Sequence, residues 1–182
     1  MTAMVTMPPA TTERCRQLLQ RWRQDLRLTR REQGLLRGEL TLLDRQLQRL
    51  EHNVLRLAVF GRVGVGKSSL INALVGQRLL ETDVAHGSTR RQQAVTWPLK
   101  LDGLQRVELI DTPGIDEIDA AGRTRLATRV AMGVDLVLLV IDSDLTRCDR
   151  DALETLQASG KPVRLVLNRS DRWPEEQLPE LL

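Results

Sequence analysis

Residues 61–68, GRVGVGKS, constrain this chain more than any other stretch. They fit G-x-x-x-x-G-K-[ST] between an apolar strand-like run, LRLAVF (55–60), and an apolar helix-like run, SSLINALVG (68–76). A glycine-rich loop in that setting cradles phosphates, because its backbone N–H groups wrap the oxygens and the helix N-terminus behind them favours negative charge. Gly61, Arg62, Val63, Gly64, Val65, Gly66, Lys67, Ser68 and Ser69 are therefore the expected nucleotide contacts. Lys67 is expected to neutralise β- and γ-phosphate oxygens. The Ser68 hydroxyl is expected to ligate Mg²⁺, a hard cation that prefers oxygen.

The rest of the chain supplies a frame for such a loop. Further strand-like runs are QAVTWPL (93–99), QRVELI (105–110), DLVLLVID (135–142) and PVRLVLN (162–168), with helical patterns at 119–132 and 147–159. Alternating strands and helices predict an α/β three-layer sandwich around a mainly parallel sheet. Only a short turn-rich link separates QAVTWPL from QRVELI, so these two should form a hairpin with one antiparallel edge strand.

Two further loops follow strands. Asp111-Thr112-Pro113-Gly114 closes QRVELI, where Asp111 can hold Mg²⁺ through water and Gly114 can bring its N–H to a γ-phosphate. Asn168-Arg169-Ser170-Asp171 closes the fifth strand, and a carboxylate there can accept hydrogen bonds from guanine N1–H and N2–H₂. Adenine would leave that carboxylate unpaired, which is costly when it is buried.

Taken in order, the P-loop, DTPG and the Asn-x-x-Asp element resemble the translation-factor-related class of P-loop GTPases. SSLINAL and HGSTR place the likeness in the Era-like and dynamin-like branch, over about residues 55–173. The resemblance implies binding of GTP and GDP with Mg²⁺, slow hydrolysis of GTP, and a nucleotide-dependent switch. It makes Thr89 the switch I threonine, a Mg²⁺ ligand whose backbone senses the γ-phosphate, and gives Lys67, Thr89 and Gly114 the catalytic roles. Alternatives are a GTP-binding scaffold with little or no hydrolysis, and an RNA-associated Era-like GTPase.

Three departures qualify this. Arg169 stands where the family has lysine, and its stem is expected to cover the base while its cation stacks on it. Ile115 stands where Ras-like enzymes carry a water-orienting glutamine, so turnover should be slow unless Asp116, Glu117, Asp119 or a partner helps. Gly64 replaces the asparagine of potassium-activated relatives. The family's sixth strand and last helix have no counterpart after the guanine motif, so the expectation is a fragment of a longer protein, in which a following region could associate with membrane.

Ahead of this region, residues 1–10 read as a disordered leader and 11–54 as a helical segment, with 55–182 as an incomplete GTPase domain. Thr11 or Thr12 should cap the helix. A heptad seam runs through Leu19, Trp22, Leu26, Thr29, Gln33, Leu36, Leu40, Leu43, Leu47, Leu50 and Val54, with a break or hairpin near 29–38, where Gly34 and Gly38 lower helix propensity. Residues 10–56 carry 11 Arg against 6 acidic residues, whereas the remainder carries 16 basic and 18 acidic. The seam favours self-association or packing on another helix over direct RNA contact. One Phe, three Trp and no Tyr argue against aromatic base-stacking platforms. Cys15 and Cys148 match no metal-ligand spacing and His52 and His86 are expected to be solvated. Asp142 and Asp144 are expected to serve as loop or helix-capping residues. With no signal peptide and no run long enough to span a bilayer, the chain is expected to be cytoplasmic.

Overall fold

The computed structural model describes residues 9–81 and 92–172. These divide into two compact units: one holds the residues up to Val54 with Lys100–Arg106, the other Leu55–Leu99 with the residues from Val107 on.

In the first unit, helix α1 (Pro9–Asp25) is followed by α2 (Arg30–Leu35) and α3 (Arg37–Glu51). α1 starts at Pro9, earlier than a cap at Thr11 or Thr12 would allow. The first turn of a helix has no use for its N–H groups internally, so proline is at home there. The helical run is interrupted at 26–29 and again at Leu36, inside the expected 29–38 window, and the first break is set by a capping box. Glu32 N–H donates to Thr29 Oγ1 at 3.3 Å, while Thr29 N–H and its hydroxyl donate to Glu32 Oε2 at 2.8 and 2.7 Å. Thr29, expected as a weak seam position, is thus the start of a new helix.

α3 then packs back along α1. Arg23 donates to both oxygens of Asp44 at 2.8 and 3.1 Å, and Glu51 lies close enough to Arg16 to favour its charged form. The pairing of 16 with 51 and 23 with 44 makes the two helices antiparallel, a hairpin. The continuous seam does not form: Leu47 is buried, but Trp22 is 54% exposed and Leu19 39%. The link 100–106 belongs with these helices because Gln105 N–H donates to the carbonyl of Asn53 at 3.0 Å.

The second unit is built on a five-stranded sheet of order β2-β3-β1-β4-β5, from β1 (Val54–Phe60), β2 (Gln93–Trp97), β3 (Arg106–Asp111), β4 (Leu136–Ile141) and β5 (Val163–Leu167). β1 and β5 lie parallel to β4 on either side of it. β2 runs antiparallel to β3, with Val95 opposite Leu109, the expected edge hairpin. β2 stops before Pro98, which has no N–H to give a ladder. Helices α4 (Lys67–Val75), α5 (Ala120–Gly133) and α6 (Arg147–Ala158) alternate with the strands.

Phe60, Ile110, Val137 and Leu139 form one core with Ala127, Val130 and Ala131 of α5 and Ala152 and Leu156 of α6. Val59, Leu109 and Val140, which alternate with these along the strands, are also fully or almost fully buried, so both faces of the sheet are covered. The consequence for function is positional. β1, β3, β4 and β5 all end in loops at the C-terminal edge of the sheet, which is where an open α/β sheet binds ligands.

Candidate functional site

The loop after β1 is shaped by what crowds it. A Cβ on Gly61 would collide with the Val140 carbonyl of β4, and Gly66 has φ +90° with Asn168 Nδ2 where its Cβ would be. Only glycine takes that conformation and leaves that space. Gly66 is also the N-cap of α4 and supplies no side-chain hydrogen bond. The first amides of α4 therefore keep their donors for an anion in front of them.

Lys67 is 7% exposed, and its ammonium donates to the carbonyls of Gly61 at 3.1 Å and Arg62 at 2.7 Å. Burial lowers its proton affinity, against the opposing pull of Asp111, Asp116 and Glu117. A buried ammonium held by backbone carbonyls is a positive charge fixed within the loop.

Next to it, the Ser68 hydroxyl donates to Asp111 Oδ2 at 2.6 Å. Asp111 ends β3 at 1% exposure, and its other oxygen accepts from Thr112 N–H at 3.1 Å. A serine oxygen and a carboxylate side by side are hard donors that suit Mg²⁺. Among the described residues no cluster of three or more His, Cys, Asp or Glu could hold a metal. Mg²⁺ needs none, since it binds through one or two protein oxygens, water and phosphate. Thr89, the third expected ligand, lies outside the described residues.

Two expected nucleotide contacts face inward. Val65 is 1% exposed, and Thr112 is fully buried with its hydroxyl donating to the Val59 carbonyl at 2.8 Å. Thr112 locks Asp111 to β1, and either residue can meet a ligand only through its backbone. Pro113 is half-buried and Ser69 exposed.

Gly114 sits against the P-loop so tightly that a Cβ would strike Val63. Beside it, Ile115 N–H donates to the Gly61 carbonyl at 3.3 Å and Val63 N–H donates to Asp116 Oδ1 at 2.7 Å. The Ile115 side chain is fully buried in the core, so it does not reach the surface beside the loop. Asp119 is occupied as the N-cap of α5, accepting from Gly122 N–H at 2.8 Å. Of the three carboxylates expected to help, Asp116 touches the phosphate loop at Val63, and Asp116 and Glu117 both act on the Lys67 ammonium.

The fifth-strand loop joins the same place. Asn168 N–H donates to the Ile141 carbonyl at 2.7 Å, and Asn168 Nδ2 donates to the Val65 carbonyl at 2.8 Å. Arg169 adopts φ +56°, turning the chain into a short 3₁₀ turn, Ser170–Arg172, in which Asp171 is exposed. Arg169 Nη1 donates to Asp142 Oδ2 at 3.0 Å.

Sequence reasoning missed the partners of Arg62. Its guanidinium reaches Asp149 with Nε, and Asp142 and Ser143 with Nη2. Asp142 caps no helix; α6 is capped by Thr146 in a capping box with the fully buried Asp149. The pattern Thr-x-x-Asp at 146–149 was available as a capping signal. The approach of β1's loop to β4's was not, being a property of the folded sheet. Cys15 and Cys148 are free thiols, and burial pushes Cys148 up. No helix among the described residues is long and apolar enough to cross a membrane.

Comparison with known proteins places this geometry. The model of the family described as 50S ribosome-binding GTPase matches residues 56–169. GTPase Der of Rhizobium johnstonii is 43% identical over 121 residues, 63% of this chain and 25% of that protein. GTPase Era of Synechocystis is 37% identical over 132 residues, 69% of this chain and 40% of that protein. The chain thus spans well under half the length of these relatives. Among solved structures, Era in complex with MgGDPNP and a segment of 16S ribosomal RNA superposes with a TM-score of 0.60 at 25% identity, over 71% of this chain and 45% of that one. Aquifex aeolicus Era bound to GDP·AlF₄⁻ gives a TM-score of 0.60 at 26% identity, covering 70% and 45%.

Proposed function

Since the chain belongs to the family of 50S ribosome-binding GTPases, we propose that it binds GTP with Mg²⁺ and hydrolyses it slowly to GDP and phosphate, as a nucleotide-dependent switch. The observation that carries this reading is the Ser68 hydroxyl 2.6 Å from the Asp111 carboxylate, beside the buried ammonium of Lys67. Three residues from two motifs meet there in the arrangement a triphosphate and its metal require.

In this reading the backbone amides of 61–69 wrap the phosphates, and Lys67 leaves the Gly61 and Arg62 carbonyls for the β- and γ-oxygens. Ser68, Thr89 and Asp111 would hold Mg²⁺. When bound, Mg²⁺ neutralises charge developing on the phosphate oxygens. Gly114 offers its N–H to the γ-phosphate from its place against Val63. Asp171 accepts from the guanine edge, with Asn168 tying its loop to Val65. With Ile115 buried, water must be oriented by Asp116, Glu117 or a partner. Basal turnover on the order of 10⁻⁴–10⁻² s⁻¹ follows, as in related systems that wait for outside help.

The domain assignment is a helical segment to residue 54 and a GTPase region after it. Exposed Leu18, Trp22 and Leu35 on the helices support self-association through that segment, and the likeness to the GTPases Der and Era supports a cytoplasmic site of action. A second reading, work on the ribosome or its RNA, is favoured by the Era complex with 16S ribosomal RNA. Co-sedimentation with ribosomes in GTP and in GDP tests it.

For the main reading, phosphate release is measured with GTP·Mg²⁺, ATP·Mg²⁺ and GTP with chelator. Release from GTP·Mg²⁺ alone, lost in Ser68→Asn while the circular dichroism spectrum stays native, is the expected result. Equal release from ATP, or none from GTP despite tight binding, would replace the switch with a different nucleotide or with a scaffold.

A further inference from the structure

The P-loop and the base-recognition loop are joined by a four-membered ionic chain that neither motif contains by itself. Arg62 Nε contacts Asp149 Oδ2 at 3.1 Å and Oδ1 at 3.3 Å, and its Nη2 contacts Asp142 Oδ1 at 3.3 Å and Ser143 Oγ at 3.2 Å. The other Asp142 oxygen accepts from Arg169 Nη1 at 3.0 Å. Each oxygen of one carboxylate therefore answers a different guanidinium, one from the loop after β1 and one from the loop after β5.

The chain is anchored at one end and loose at the other. Asp149 is fully buried and already accepts from Thr146 N–H at 3.0 Å and the Thr146 hydroxyl at 2.7 Å. Arg62 is the cation that compensates it, and a buried carboxylate left without its cation is costly. Arg62 is consequently a fixed post, and it fixes Asp142. Arg169 is the most exposed member, at 32%, and sits at φ +56°, a conformation a residue with a Cβ rarely holds unaided. Two residues further on is Asp171. Besides the backbone bond from Asn168 N–H to the Ile141 carbonyl, the loop is held by two side-chain tethers, Asn168 to Val65 on one side and Arg169 to Asp142 on the other. Arginine suits the second tether because its planar, permanently charged fork keeps its direction.

We propose that Asp142 is a specificity-determining positioning residue: by holding Arg169 to Arg62 it fixes the loop that presents Asp171 to the guanine base, so it sets discrimination between bases without touching the phosphates. This rests on the reading that the chain binds guanine nucleotides. Asp142→Ala leaves Arg62 paired with Asp149, so the P-loop keeps its post.

The test compares GDP with IDP, which keeps N1–H but lacks the N2 amine, so the ratio reports the Asp171 bond to that amine. Wild type, Asp142→Ala, Arg169→Ala and the double variant are titrated with both nucleotides, and Tm is recorded for each. The expected result is a fall of about tenfold in the GDP-to-IDP affinity ratio for each single variant, the scale of one lost charge-assisted bond. The double variant should fall no further, because both changes cut one tether. Equal weakening of GDP and IDP, tracking a lower Tm, would make Asp142 merely structural and overturn the proposal, as would an unchanged ratio or additive losses. A wild type that binds GDP no better than IDP would instead remove the guanine reading, and this inference with it.

Discussion

Ile115 shows how much one residue's placement changes an argument about rate. Its position in the motif invites replacement by glutamine to supply a water-orienting amide, with a modest gain in rate. Its full burial among α5, α6 and the sheet reverses that expectation. Glutamine would bring an unpartnered amide into the core and should cost ~3 kcal/mol. Ile115→Gln is predicted to lower Tm on the order of 10 °C with no gain in phosphate release. Faster release at unchanged Tm would show that this side chain reaches the phosphates after all. Asp171 makes the opposite case, since it is exposed in its 3₁₀ turn and can change without disturbing packing. Asp171→Asn should exchange guanine for xanthine preference, because an amide N–H suits the C2 carbonyl where the carboxylate suited the amine. Competition between GDP and XDP decides it, and retained GDP preference would move base recognition elsewhere.

At the scale of an element, α6 carries more than its own length suggests. Its capping box uses Asp149, and the same carboxylate anchors Arg62 of the P-loop. A helix N-terminus is thus wired to the phosphate site through one buried group. Thr146→Ala removes a cap and should cost about 1 kcal/mol. Asp149→Ala also removes the buried partner of the Arg62 guanidinium, leaving it Asp142 and Ser143, and should cost about 3 kcal/mol. Urea denaturation of the two variants separates these values. Equal losses would mean that Arg62 contributes nothing to α6. The helical hairpin is governed in the same way by a local cap: the box at Thr29 and Glu32 ends one helical run and starts another, and no heptad count overrides it.

At the scale of the whole molecule, every described residue of the nucleotide site lies in the unit from Leu55 on, and the helices belong to the other unit. A chain beginning at Asn53 should therefore keep its affinity for GDP. It should also lose whatever oligomer the exposed Leu18, Trp22 and Leu35 support. Light scattering and GDP titration of the shortened protein check both halves. An unchanged mass would sink self-association through the helices, and lost GDP binding would show that the helices complete the site.

The sequence by itself determined the architecture and where along it the glycine-rich loop falls. Period-two apolar runs, turn residues and the G-x-x-x-x-G-K-S spacing are local signals, so the five strands, the edge hairpin and the strand-end positions of the glycine-rich loop and Asp111 were legible to within a residue or two. The place of Asn168–Asp171 directly after the fifth strand was legible for the same reason. Tertiary structure alone decided the rest. That Ile115 turns into the core, that Thr112 locks Asp111 to β1, and that Asp142 is shared between Arg62 and Arg169 all depend on which strand lies beside which. Side chains 80 residues apart, as Arg62 and Asp142 are, carry no mark of one another in the sequence. Only the parallel pairing of β1 with β4 brings their loops to one edge, and there opposite charges close the distance.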